Sequence, residues 1–557
     1  MIARARVRTA LLRAFVLVFG VAALWTSRDA LNPDGVAYLD ASDVYLGGSL
    51  ASGTGHWSPL YPLMLAGARA LLSQLPEREV AIAQGVNLAA FLFAFLALEY
   101  FIREVRRATS ARRPGAPSSS DAVWLVLVYV TFAVATTYWI RMWLLSPDMC
   151  VLAIVLAAAG VCVRITSGRT GWLSPAALGV LLGLGYLAKT AMFPVAIVVL
   201  GTLMLTRRRE GGMREGILAG ALFLAIALPQ IAYVTRLKGA PTFGDVGRLD
   251  YLWFTAGVPG PLSSELALPA RLPSPTGTRQ TVVPLDPARD AHPAVFAIDA
   301  PIPGTLPIWY DAGYWYRGVT TPLRPRAILR TVVRHVRIYF EVFGILLVGG
   351  GAAAAASRIS RDDVRRLRPV ALLVIPSLAA IGMYALVLVF PRYVAAFVLL
   401  LMAGLVPPWD TEDLSRRLRV GFAVGSAALL PLAVHEVRVD RSYWRGAERN
   451  RQMVKAALEA RGINPGSRIG FIGESYEAYW ARAARLRIVS LVPSAEAGAF
   501  WSLDTNARAA VLERMKRQGA AAVIAEAPAA GVSTDGWERL PAAGPPRPAL
   551  IFYSGSQ

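Results

Sequence analysis

Proton abstraction from a hydroxyl beside a phosphate takes an acidic side chain, with fixed cations to hold the phosphate charge. The chain offers these residue types at a few isolated points. In NPDGVAYLDASDVYLGG (32–48), Asp34 and Tyr38 stand four apart, so a helix would project a carboxylate and a phenol from one face. The same stretch also reads as a helix start capped by Asn32 or Asp34, with Asp40 and Asp43 as solvated acids. Lys189 interrupts the apolar run LGYLAKTAMFP, where a cation either snorkels or has a partner. The chain uses 54 Arg but only 4 Lys, so a lysine here suits a site wanting a compact ammonium for a phosphate oxygen. Arg392 in FPRYVAAF and Arg141 in YWIRMWLLSPD lie at two further breaks between apolar stretches. Asp148, after Ser146 and Pro147, is both a good helix start and a candidate second acid.

The stretch GTLPIWYDAGYWYRG (304–318) packs five aromatics around Asp311. Trp309, Tyr310, Asp311 and Tyr314 read as an interfacial belt or, equally, as a stacking surface for a sugar or isoprenoid. His56, His292, His335 and His435 show no metal-ligand spacing. No cofactor is therefore expected; a divalent ion would need Asp34, Asp148 and His56 to converge. Cys150 and Cys162 lie twelve residues apart in one apolar segment, about 18 Å along a helix and too far for a disulfide.

These residues sit in a chain of 557 residues that is 55% hydrophobic and 17% charged, with a mean hydropathy of +0.45. A soluble domain carries roughly 25% charged residues, so the composition excludes a soluble enzyme. A net charge of +21 would suit nucleic acid, but the charges fall in short runs between apolar stretches. That is the pattern of a polytopic membrane protein, with membrane lipid and not nucleic acid as its surroundings. Candidate spans are 10–26, 80–102, 122–140, 147–165, 215–235, 328–350, 369–389 and 419–436, each near the roughly 20 residues a crossing needs. The run 174–206 is too long for one crossing and breaks at Lys189 and Pro194, giving two short spans; 391–407 follows after Pro391-Arg392. About eleven spans result. No A-x-A site follows Trp25, so the first reads as uncleaved. Residues 59–75 carry Pro59, Pro62 and Arg69 and read as an interfacial helix.

Six loops (1–13, 103–121, 164–172, 207–215, 358–368 and 408–419) hold 23 Arg and read as cytoplasmic by the positive-inside rule. Opposite them face loop 27–79, loop 236–327 and the tail from 437. Loop 236–327 contains 14 prolines and is expected to be largely irregular. Asp34, Arg141, Lys189 and Arg392 then share the outer boundary. Two parts follow: a membrane domain, 1–436, and a tail, 437–557. The tail alternates helical patterns (445–461, 475–485, 502–518) with apolar strands at Ile469–Ile472, Ile488–Val492, Ala521–Ile524 and Ala549–Tyr553, a small extracytoplasmic α/β domain.

Over residues 10–436 the chain resembles the GT-C superfamily of membrane glycosyltransferases, which includes lipid A aminoarabinose transferases and protein O-mannosyltransferases. The resemblance rests on the acid-x-x-x-Tyr pattern after the first span (Asp34, Tyr38) and W-S-P-x-Y-P at Trp57–Pro62, which holds Tyr61. It rests also on the Pro-Asp helix start at Asp148, Y-L-A-K ending at Lys189, and Arg392-Tyr393. G-T-x-P-x-W-Y-D at 304–311 and the α/β tail are similar to generic bacterial members. The resemblance implies a polyprenyl-phosphate sugar donor and a catalytic first-loop acid, which would be Asp34 as general base. It also implies a multi-pass protein of the bacterial cytoplasmic membrane with its site on the outer face. Two departures stand out. Ser58 lies where the aminoarabinose transferases have a lysine, and Gly35 replaces the second acid of the mannosyltransferase pair, so the acceptor (glycolipid, polysaccharide or protein) does not transfer.

The residue types suit this chemistry. A lipid phosphate is a good leaving group, so cations such as Lys189, Arg392 and Arg141 suffice on that side, and one carboxylate serves inverting transfer of a hexose or pentose to a hydroxyl. Tyr38, Asp148, Tyr61, Trp309, Tyr310, Asp311 and Tyr314 would line the substrate. A transporter or flippase of lipid-linked glycans would instead show repeated halves and mid-bilayer ionisable residues, and no repeat is present. An assembly or ligand-binding membrane protein would use the aromatic loop and tail without Asp34. The topology predicts opposite sides for reporters fused after residues 113 and 440; the same side for both would overturn it.

Overall fold

The computed structural model describes residues 2–48, 55–73, 75–112, 118–169, 171–258, 282–284, 293–298, 321–355, 370–408, 413–541 and 550–553. Helices α1 (Ile2–Thr26), α2 (Pro33–Leu46), α3 (Leu60–Leu72) and α4 (Glu79–Arg112) come first. Then follow α5 (Ser118–Val134), α6 (Asp148–Thr166), α7 (Leu173–Ala188), α8 (Met192–Thr206), α9 (Gly212–Lys238) and the short α10 (Val246–Asp250). After the long connection 251–324 come α11 (Pro325–Ala355), α12 (Ala371–Ala385), α13 (Pro391–Leu405), α14 (Asp413–Ala428) and α15 (Leu430–Glu459).

Six helical stretches among the described residues are long and apolar enough to cross a membrane, and five shorter apolar helices accompany them. The chain is a multi-pass membrane protein. Val18, Phe93, Leu96, Leu205 and Val348 are exposed on the helices, as lipid-facing positions must be. The run 174–206 is two helices: α7 ends where Lys189 turns extended (φ −156°, ψ 125°), and α8 begins at Met192. Within the stretch 59–75, Leu60–Leu72 form α3, packed on α2 and α4. Glu99 inside the helical bundle is paired, as a low dielectric favours: Arg13 and Tyr129 both donate to it.

The bundle core is built by α4 along α6, α7 along α9, and α14 against α5 and α11. Small residues set the α7–α9 spacing. Gly179 and Gly183, four apart, face α9; a Cβ at Gly179 would fall 2.3 Å from the Ala219 carbonyl oxygen, a close backbone approach of the kind small-x-x-x-small pairs permit.

In the tail, α15 runs unbroken from the bundle into a domain with α16 (Tyr479–Ala483), α17 (Ser494–Ser502) and α18 (Thr505–Arg517). Its strands are β3 (Arg468–Gly473), β4 (Arg487–Pro493), β5 (Ala522–Glu526), β6 (Glu538–Arg539) and β7 (Leu550–Tyr553). Two more, β1 (Val282–Pro284) and β2 (Phe296–Ile298), come from the second outer loop. The order is β1-β2-β4-β3-β5-β7-β6, with β4, β3 and β5 parallel and the outer pairs antiparallel. The sequence patterns located four strands but missed three, including the two that the proline-rich loop supplies. The pattern at 502–518 corresponds to α18, which Asp504 caps by accepting from Ala507 N at 2.8 Å, while α17 lies ahead of it and ends at Ser502.

Gly179→Ala should overpack the α7–α9 contact, at a cost of about 1–3 kcal/mol. A lowered melting temperature of the purified protein in detergent checks this; an unchanged one would refute the close packing.

Candidate functional site

Three helix starts and one helix end meet at one point because the residues at them bind one another. Asp34 lies in the first turn of α2, after Asn32 and Pro33. Asp148 opens α6, Lys189 caps α7 just ahead of α8, and Arg392 follows Pro391 at the start of α13. Arg392 Nη2 donates to Asp34 Oδ2 at 2.9 Å, and its Nε lies 3.6 Å from Asp148 Oδ2. Lys189 Nζ donates to Asp148 Oδ1 at 2.7 Å and sits 3.4 Å from the centroid of the Tyr393 ring. Two cations thus face two carboxylates. Exposure grades across the cluster: the Asp148 side chain is 3% exposed, Arg392 18%, Lys189 19% and Asp34 30%, so Asp34 stands at the open end.

Buried amides fix the segment that delivers Asp148. Gln84 on α4 donates to the carbonyls of Ala30 (3.1 Å) and Trp143 (2.8 Å), and Asn87 donates to that of Leu144 at 3.2 Å. Asn32 Oδ1 accepts from Leu145 N at 2.9 Å. Ser146 Oγ donates to Asp148 Oδ2 at 3.1 Å. Asp34 and Asp148 are therefore set by one shared scaffold, since the residues leading into both helices are tied to α4.

Tyr38 is buried between Trp57 and Tyr61, with ring centroids 4.7 and 5.1 Å away. Burial and then the nearby Asp34 charge push its phenol well above the ordinary tyrosine range, so it remains a donor and leaves base chemistry to the carboxylates. Tyr61 is fully buried, its hydroxyl donating to Asn87 Oδ1 at 2.7 Å; it backs Tyr38. Arg141 takes another direction. In a left-handed conformation (φ 53°), it pairs with Glu436 at 3.0 Å, and no described contact joins it to the cluster. Trp309, Tyr310, Asp311 and Tyr314 lie outside the described residues. His56 packs edge-on against Trp57, and among the described residues no three His, Cys, Asp or Glu side chains group as metal ligands.

One acid had no sequence signal. Asp250 ends α10, in the second outer loop, and burial pushes its carboxyl up to about 7, with Lys189 pulling it down and Asp34 pushing it up.

No family model matches the sequence, and no curated protein matches it. Solved structures do. The oligosaccharyltransferase of Archaeoglobus fulgidus in its apo form aligns with a TM-score of 0.51 at 12% identity, covering 93% of this chain and 69% of that one. The same archaeal enzyme, AglB, in complex with an inhibitory peptide and a dolichol-phosphate, aligns at 0.46 and 11% identity over 92% of this chain and 69% of its own. ArnT from Cupriavidus metallidurans bound to undecaprenyl phosphate aligns at 0.44 and 14% identity, over 98% of both chains. The likeness is one of fold: the chain shares the membrane architecture of the archaeal oligosaccharyltransferase.

Because the Asp250 pKa is raised above its unfolded value, its contribution to stability is present below about pH 4 and lost as pH rises through about 7. Asp250→Asn should accordingly raise the melting temperature at pH 8 relative to the parent and leave it nearly unchanged below about pH 4. Parallel pH profiles of the two proteins would remove the assignment.

Proposed function

We propose that this protein is an inverting glycosyltransferase that moves a hexose or pentose from a polyprenyl-phosphate donor to an acceptor hydroxyl. The supporting observation is the chain of contacts Asp34–Arg392–Asp148–Lys189, which sets a carboxylate beside two fixed cations at helix ends. The GT-C fold shared with an oligosaccharyltransferase and the first-loop acid motif agree with it.

On this reading Asp34 takes the acceptor proton as the acceptor oxygen bonds to the anomeric carbon from the face opposite the phosphate. The anomeric carbon–oxygen bond to the phosphate breaks, and polyprenyl phosphate departs. Lys189 and Arg392 hold the charge that gathers on its oxygens. Asp148 orients both cations and Tyr38 donates a hydrogen bond. Tyr61 shapes the wall behind it, and Trp309, Tyr310, Asp311 and Tyr314 bind sugar or isoprenoid. Arg141, committed to Glu436, acts in the structure of the outer rim. No cofactor is needed. The acceptor is a glycolipid, polysaccharide or protein. The protein works in the bacterial cytoplasmic membrane with its site on the extracytoplasmic side, where a membrane-embedded donor presents its phosphate.

Asp34→Asn should lower transfer from polyprenyl-phosphate sugar about 10²–10⁴-fold, the usual contribution of a general base, while undecaprenyl phosphate still binds. Undiminished transfer would sink the base assignment. Lys189→Met should weaken undecaprenyl phosphate binding about tenfold, the effect of losing one charge-assisted contact. A lipid-linked glycan that crosses the bilayer with no sugar transferred would favour the transporter or flippase alternative.

A further inference from the structure

A second ionic cluster, buried where the tail meets the first outer loop, plays no part in the chemistry above. Arg482 on α16 is 2% exposed. Its Nε and Nη2 donate to the two carboxylate oxygens of Glu79 at 3.0 and 2.7 Å. Its Nη1 donates to Asp40 and Asp43, both at 2.6 Å. Arg485 donates to Asp43 at 3.1 Å and Glu79 at 2.7 Å. From α3, Arg69 pairs with Asp43 at 2.7 Å and donates to Ser42 Oγ at 2.5 Å. Three guanidinium groups thus balance three carboxylates in a buried space. Burial alone would raise the Asp43 carboxyl, yet Arg482, Arg69 and Arg485 hold it below its ordinary value. Arg485 also adopts φ 55°, a conformation that L side chains seldom take and that these contacts sustain.

The cluster bears on the site through α2. Asp43 follows Asp34 by nine residues on that helix, which places it half a turn out of phase and about 14 Å further along. One end of α2 therefore faces Arg392, and its other end and face are gripped from the tail. Helix α15 holds the flanks of the same loop: Arg451 Nη2 donates to the Asp29 carbonyl at 2.9 Å, and Lys455 lies 3.1 Å from Glu77.

We infer that Arg482 is a positioning residue for sugar transfer, locking α2 from the carboxyl-terminal domain so that Asp34 stays at Arg392. This deepens the glycosyltransferase reading and rests on it. Removing the guanidinium leaves three buried carboxylates against two cations, an imbalance that buried sites tolerate poorly, and two of those carboxylates, Asp40 and Asp43, are on α2. The tail is then a structural part of the reacting centre even though it supplies no reacting group.

The test uses the full-length protein in detergent. In Arg482→Gln, amide hydrogen exchange of residues 33–46 should quicken at least tenfold while that of 148–166 stays as in the parent. Turnover with a polyprenyl-phosphate hexose or pentose that the parent accepts should fall at least tenfold, with the donor KM within threefold. Arg482→Lys should recover part of both losses, as should the charge-balanced pair Arg482→Gln with Glu79→Gln. Unchanged exchange at 33–46, or unchanged turnover in a protein whose 33–46 exchange has quickened, would overturn the inference. Should Arg482→Gln fail to accumulate, Arg485→Gln carries the test, with about threefold effects expected in both readouts and no effect in either overturning it. A parent that transfers no sugar points to failure of the glycosyltransferase reading itself. In that case hydrogen exchange alone decides whether Arg482 locks α2.

Discussion

The Asp148 carboxylate is the contact on which the candidate site depends. It is nearly buried, and its two oxygens lie toward different cations, Lys189 at 2.7 Å and Arg392 at 3.6 Å. Without it, a lysine and an arginine would face each other at the edge of an apolar bundle, where like charges repel strongly. With it, the two cations are held in one place, and Arg392 has a second donor left for Asp34. The carboxylate also sits at the start of α6, where the helix dipole favours a negative charge. One acid therefore makes the cationic site possible, and the sequence supplies it through a Ser-Pro-Asp helix start.

Asp148 in turn depends on neutral groups. Gln84 and Asn87 satisfy the carbonyls of Trp143 and Leu144 on the way into α6, and Gln84 also takes that of Ala30 ahead of α2. Irregular backbone at a membrane boundary must have its polar groups met internally. These two amides do so while tying both acid-bearing segments to the same long helix. The tail acts from the other side through Arg482. The segment after α1 is thus held from within the bundle by hydrogen bonds and from the tail by charge.

Much of this was legible in the sequence, for physical reasons. A lone charge in an apolar run is costly, so Lys189, Arg392 and Asp148 announced themselves, and hydropathy marked the helices that carry them. Asp34 followed from its four-residue spacing to Tyr38. Direction was not legible: Arg141 lies at the right kind of boundary, but its pairing with Glu436 depends on a contact nearly 300 positions away. Gln84 and Asn87 looked like ordinary polar residues, because nothing local shows which carbonyls they will meet. Asp40 and Asp43 read as solvated acids for the same reason, their partners Arg482 and Arg485 lying more than 400 positions later. Strands β1 and β2 are three residues each, too short to show a period.

The sheet that joins loop to tail also dictates an order of assembly. Phe296 pairs with Leu491 and Ala297 with Ser490, so strand β2 has no neighbour on that side until the ribosome has added almost two hundred further residues. At roughly 5–20 residues per second, that is about 10–40 s, during which the later helices enter the bilayer. The polypeptide must therefore complete most of its synthesis before this sheet can close.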